Sequence, residues 1–172
     1  MLKRLVGSMS VLLAVTGAAH ADVTAKAPDG FAIHTVSVVK LDRSAAWARL
    51  LDVAAWWSGE HTYSQSATSL SLDAKAGGCW CEIWEGGEVE HGRVLAVMPQ
   101  KMLRVSAALG PLQEMGVSAA LTFQLADGLE AGTTKLTVDY KVSGSSLSDL
   151  DKIAPAVNGV LTEQVVRLSA GK

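Results

Sequence analysis

Cysteine is scarce in this chain: two residues among 172, Cys79 and Cys81, and no second pair. Structural zinc takes four ligands as a rule, and His34 and His61 lie far from the cysteines in sequence, so no metal site is expected. Excess positive charge is also missing. Fifteen Lys and Arg stand against seventeen Asp and Glu, with no basic stripe to follow a phosphate backbone, which argues against nucleic-acid binding. There are no repeats, long charge runs or low-complexity tracts. The chain carries no activated-serine motif, no glycine loop for phosphate and no dinucleotide fingerprint, so no cofactor is expected.

A long apolar run occurs only at the start. Lys3 and Arg4 precede the uncharged "LVGSMSVLLAVTGAA", and small residues follow at Ala19 and Ala21. This is the pattern of a secretory signal peptide, residues 1–21, cut after Ala21. The run is short and interrupted for a membrane span, and no cysteine marks the cut for lipid attachment. The expected product is a periplasmic or secreted chain, 22–172, with no stable membrane span. About 150 residues suit a single domain with a real core. Losing Lys3 and Arg4 makes the formal net charge of −2 more negative.

Within that domain, "DVTAKAPDG" reads as a linker and "FAIHTVSVVKL" as the first strand. "DRSAAWARLLD" predicts a helix capped by Asp42, with Trp47, Leu50 and Leu51 at helical spacing. Trp47 is expected to pack that helix onto the sheet. "VAAWWSG" predicts a second short helix ending at Gly59, on which Trp56 and Trp57 cannot both face inward. Strand signals then dominate: "ATSLSLDA", "CWCEIW", "EVEHGRVLAVM", "KMLRVSAAL", "VSAALTFQL" and "TKLTVDYKV". Short connections imply an antiparallel meander. From about Leu147 to Leu168, Leu150, Ile153, Val157, Leu161, Val165 and Leu168 form an apolar stripe at spacings of three and four. Pro155 should kink this helix or restart it. The expected fold is α+β: a curved antiparallel sheet of about seven strands wrapped on a long C-terminal helix, with two short helices after strand one.

Several stretches carry a resemblance: "AAWARLLDVAAWW", "AGGCWCEIWEGGEVEHGRVLAVMP", "ALGPLQEMGVSAALTFQL", "GTTKLTVDYKV" and "LDKIAPAVNGVLTEQ". Together they span most of the chain after residue 21. The sequence resembles the START-like (SRPBCC) superfamily, in the branch holding polyketide cyclases and ATPase-activator-like domains, and within it a secreted subgroup. The resemblance implies a helix-grip fold with a ligand cavity. It implies no single activity, because members bind lipids, hormones or polyketides and some catalyse.

The stretch "GGCWCEIWEGGEVEHGRV" concentrates the chemistry. With Gly86 and Gly87 as the loop, Glu82 faces His91 and Trp80 faces Arg93. Alternation then puts Trp80, Glu82, Trp84, His91 and Arg93 on one face, and Cys79 and Cys81 on the other. The cysteines are either two small buried thiols or a disulfide. Extended neighbours two apart sit about 6.6 Å apart, near the limit for such a bond, so bonding would need a bulge.

Three uses of the other face stay open. Glu82, His91 and Arg93 can be a self-satisfied polar cluster. They can orient a ligand's polar end beside the tryptophans. Or Glu82 and His91 can act as a catalytic acid/base pair. Trp57 is a further candidate, at a cavity mouth that Tyr63 would gate. Leu112 and Met115 either pack ordinarily or form a lid. The expected function is binding of a small apolar or amphipathic ligand through Trp57, Trp80, Glu82, Trp84, His91 and Arg93. The alternatives are a cyclase- or dehydratase-type enzyme using Glu82 and His91, and a protein-interaction module.

Overall fold

The computed structural model describes residues 20–171, so most of the expected signal segment lies outside the described residues. Eight antiparallel strands form one sheet in the order β1-β2-β8-β7-β6-β5-β4-β3. They are β1 His20–Ala27, β2 Gly30–Val39, β3 Leu70–Leu72, β4 Cys79–Trp84, β5 Gly87–Met98, β6 Met102–Ser106, β7 Ser118–Asp127 and β8 Thr134–Ser143. Among the described residues three α-helices accompany them: α1 Arg43–Leu51, α2 Val53–Trp56 and α3 Leu150–Ser169. The α1 and α2 segment carries the chain from β2 to the far edge strand β3, and the meander β3 to β8 returns it to β2.

The eighth strand comes from the stretch read as a linker. Asp22 to Ala27 pair with β2, and a turn at Pro28 and Asp29 joins the two strands. The segment has few apolar residues, but it lies at a sheet edge and needs only one partner. The expected cleavage point falls inside β1. Ala21 is buried, and its carbonyl accepts from the Asn158 side chain on α3 at 2.9 Å.

Helix α1 starts where its cap predicts, with the Asp42 carboxylate accepting from the Ala45 amide at 2.9 Å. Trp47 packs half-buried against the core. Helix α2 is a single turn. Trp56 is its last residue, and Trp57 has extended backbone angles, φ −66° and ψ 142°. That break corrects the expectation for the two tryptophans: both point inward, at 1% and 5% exposure. Their rings meet edge-on at 5.6 Å.

Helix α3 runs without interruption through Pro155. Its C-terminal half buries Leu161, Val165 and Leu168, while Ile153 and Val157 are only partly buried. It leans on β1 and β2. Polar contacts fix both ends. The Leu150 amide donates to the Pro28 carbonyl at 2.9 Å, and the Arg49 guanidinium donates to the Leu168 and Arg167 carbonyls at 2.8 Å each. The core between sheet and helices includes Leu50, Trp56, Trp80, Leu121, Leu136 and Tyr140. Fully burying an apolar side chain of this kind contributes about 1.5–3 kcal/mol.

Candidate functional site

The β4–β5 hairpin turns on two residues, Glu85 and Gly86, so Trp84 pairs with Gly87 and Glu82 with Val89. On that register alone Glu82 would miss His91. A bulge restores the contact: Cys81 pairs with Glu90 and Trp80 with Gly92, leaving His91 as the extra residue. His91 and Gly92 are therefore both buried. Glycine is required beside the bulge, because a Cβ at Gly92 would lie 2.6 Å from the Ser106 carbonyl oxygen and 2.8 Å from Val105.

The same bulge corrects the faces. Past it the alternation is inverted, so Val94 enters the core and Arg93 turns outward. Arg93 pairs with Glu90 and donates to the Gly77 carbonyl, so it does not join Glu82 and His91. Trp84 is half-buried, with its ring folded over Gly86 and Gly87 at the hairpin tip. It too is outside the cavity. On the outer face Cys79 and Cys81 are disulfide-bonded, with Cα atoms 5.4 Å apart. The strand is more tightly curved than an extended one, as this bond requires.

Glu82 is completely buried. Its carboxylate accepts from the Ser64 amide at 2.5 Å, the Tyr63 amide at 3.1 Å and His91 Nε2 at 2.8 Å. Burial works against the ionised form, but the hydrogen bonds from Ser64, Tyr63 and His91 outweigh it and hold its pKa below the ordinary carboxylate value. An ionised carboxylate only accepts, so the shared hydrogen sits on Nε2 of His91. Nδ1 of a neutral His91 is then the ring's lone-pair nitrogen, and it has no partner among the described residues. Trp80 lies behind this pair, its ring tilted against that of His91 at 6.4 Å and edge-on to that of Trp57 at 5.0 Å. It is a core residue, and its indole N–H is buried without an acceptor among the described residues.

The clamp on Tyr63 and Ser64 fixes a loop that has little structure of its own. Gln65 in that loop adopts a positive φ of 58°. Further bonds tie the loop to α3: the buried Gln164 side chain accepts from the Ser58 amide at 2.7 Å, and His61 meets Glu163 at 3.1 Å. Trp57 is held in turn, its indole donating to the His61 carbonyl at 3.0 Å.

Between this loop, the β6–β7 connection and α3 lies a cavity of about 490 Å³. Trp57, Tyr63 and His91 form one wall, and Ile153, Val157, Val160 and Leu161 of α3 form the second. Leu109 and Pro111 close the third. Leu112 next to them is fully buried and anchors that connection. Of the residues singled out from sequence, the cavity thus brings together Trp57, Tyr63 and His91, with Glu82 and Trp80 behind them. The helix side of the cavity was expected, but its residues Ala156 and Val160, and Glu60 and Glu114 at the edge, were not singled out from sequence. Among the described residues no cluster of three or more His, Cys, Asp or Glu could hold a metal ion.

No protein-family model matches the sequence, and no curated protein matches it. Solved structures do. A conserved protein of unknown function from Enterococcus faecalis superposes with a TM-score of 0.55 at 14% identity, covering 82% of this chain and 70% of that one. A protein from Rhodobacter sphaeroides gives 0.55 at 18% identity, over 88% of this chain and 97% of the other. DynU16, a protein in the dynemicin biosynthetic locus, gives 0.54 at 20% identity, with 81% of this chain on 46% of that one. The fold is an α+β helix-grip, a curved antiparallel sheet around a long C-terminal helix. At these identities the likeness extends to the helix-grip architecture, which allows a ligand between sheet and helix, and stops there.

Proposed function

We propose that this helix-grip protein is exported and holds a small apolar or amphipathic molecule in the cavity between α3, the Gly59–Gln65 loop and the β6–β7 connection. The observation that carries the reading is the cavity itself. Its 490 Å³ falls in the range of small-molecule sites, and its walls are mainly apolar with a few polar groups converging. The Cys79–Cys81 disulfide supports the exported compartment, since such bonds persist where the surroundings oxidise.

The test is binding of a neutral solvatochromic dye such as Nile red, with Ala156→Trp as the control. Ala156 lies exposed on α3 at the cavity, so an indole there fills the space without disturbing the core. The wild-type protein should bind the dye and the variant should not, at equal thermal midpoints. Equal dye binding by both proteins refutes the reading. Native mass spectrometry of protein taken from its own compartment should also reveal a co-purifying small molecule.

One geometric fact favours a second reading. Glu82 orients His91 at 2.8 Å, as an acid/base dyad requires. In that case Glu82, fully buried and already accepting two backbone amides, is the positioning group, and Nδ1 of His91 is the base. His91→Gln would then abolish turnover of a substrate found in the cavity while leaving its binding within a few-fold.

A further inference from the structure

The charges around the cavity are all of one kind. Glu60 and Glu114 stand exposed at its edge, and Glu163 lies against His61. Among the described residues, no lysine or arginine lines it. Arg93, which would have been the natural partner of a carboxylate or phosphate headgroup, points to the opposite face of the hairpin and is held by Glu90. The other polar side chains that line it are His61, Thr62, Tyr63 and His91, and of these His91 is the most buried, with its side chain only 7% exposed. Glu82 accepts from Nε2, and Nδ1 has no protein partner among the described residues. Trp57 and Tyr63 add aromatic rings, whose faces attract cations.

Resting on the cavity reading above, we propose that the occupant is an amphipathic molecule whose polar end is a protonated amine. The apolar body lies against Ile153, Val157 and Val160. The ammonium donates to His91 Nδ1 and is drawn by Glu60 and Glu114. An anionic headgroup meets the Glu60 and Glu114 carboxylates and, among the described residues, no lysine or arginine, so fatty acids and phospholipid phosphates are disfavoured.

The experiment uses three probes of equal chain length, decylamine, decanol and decanoate, titrated at pH 7 and low salt and followed by tryptophan fluorescence and calorimetry. Decylamine should bind at least about ten-fold more tightly than decanoate, the ratio given by a difference of about 1.4 kcal/mol. Decanol should fall between them. Raising the salt to about 0.5 M should narrow the gap, since the rim charges are exposed and screened. In the double variant Glu60→Gln with Glu114→Gln, decylamine should weaken several-fold while decanol is unchanged. Both sites are exposed, so folding is not at stake. If decanoate binds as tightly as decylamine, the charge preference is wrong while the cavity reading stands. If none of the three binds, the cavity reading itself fails and takes this inference with it.

Discussion

Replacing Glu82 with glutamine tests the hydrogen-bonding account of the site most directly. The carboxylate receives three donors on two oxygens: the Ser64 and Tyr63 amides and His91 Nε2. Glutamine keeps one acceptor oxygen and turns the other position into a donor. At least one N–H must then face an NH₂ in a site closed to water. A hydrogen bond to a charged group contributes about 1.5–3 kcal/mol, and an unsatisfied buried partner costs about 1–3 kcal/mol. We expect a loss of about 3 kcal/mol, which in a domain of this size is a fall of about 6–12 °C in Tm. Circular dichroism of the two proteins at pH 7 reads it. The pH dependence gives a second reading. The folded pKa of Glu82 lies below its unfolded value, so its contribution is present above the unfolded pKa, about 4.3, and is lost as pH falls through the folded pKa. The gap between wild type and Glu82→Gln in urea titrations should therefore narrow under acid conditions. A fall in Tm below about 2 °C, with no change in the gap on acidification, would refute the clamp, because three buried charge-assisted hydrogen bonds cannot be worth so little.

Other outcomes follow from the same geometry. Gly92→Ala should destabilise by about 2 kcal/mol or more in a urea titration, because the added Cβ meets backbone at 2.6 Å and the strand must shift. Converting both cysteines to serine should cost only about 1.5 kcal/mol, since the bridge closes a loop of three residues and loop-closure entropy grows slowly with length. Arg93→Ala should change stability by less than about 0.5 kcal/mol and leave dye binding intact, as expected for an exposed ion pair. A shift of dye affinity beyond a few-fold in that variant would return Arg93 to the ligand set.

The parts read correctly from sequence are those in which one periodicity persists for many residues. The α3 stripe, the paired strands β7 and β8 and the Asp42 cap each follow from local patterning. What escaped notice depends on a single residue added or lost. The bulge at His91 has no periodic signature, and it inverts the side assigned to Arg93. Gly92 was the available hint, since a glycine inside a strand often marks a close approach of backbone. Similarly, the break after Trp56 let two neighbouring tryptophans turn inward, and β1 hid in a polar edge segment. The cavity edge was invisible for another reason. Glu60, Glu114 and Val160 meet only through the tertiary packing of two loops on a helix.

The division along α3 has a consequence for how such a protein can change. Leu161, Gln164, Val165 and Leu168 are embedded in the core or tied to the loop, so substitutions there are penalised in stability. Ile153, Ala156, Val157 and Val160 border the cavity and are at most partly buried. Leu150 and Ala154 are fully buried as well, so the division follows faces rather than ends: the core-facing positions are constrained by folding, while the cavity-facing ones are free to be rewritten for a new occupant. A lineage could exchange ligands by point substitutions over two turns, without renegotiating the architecture that holds them.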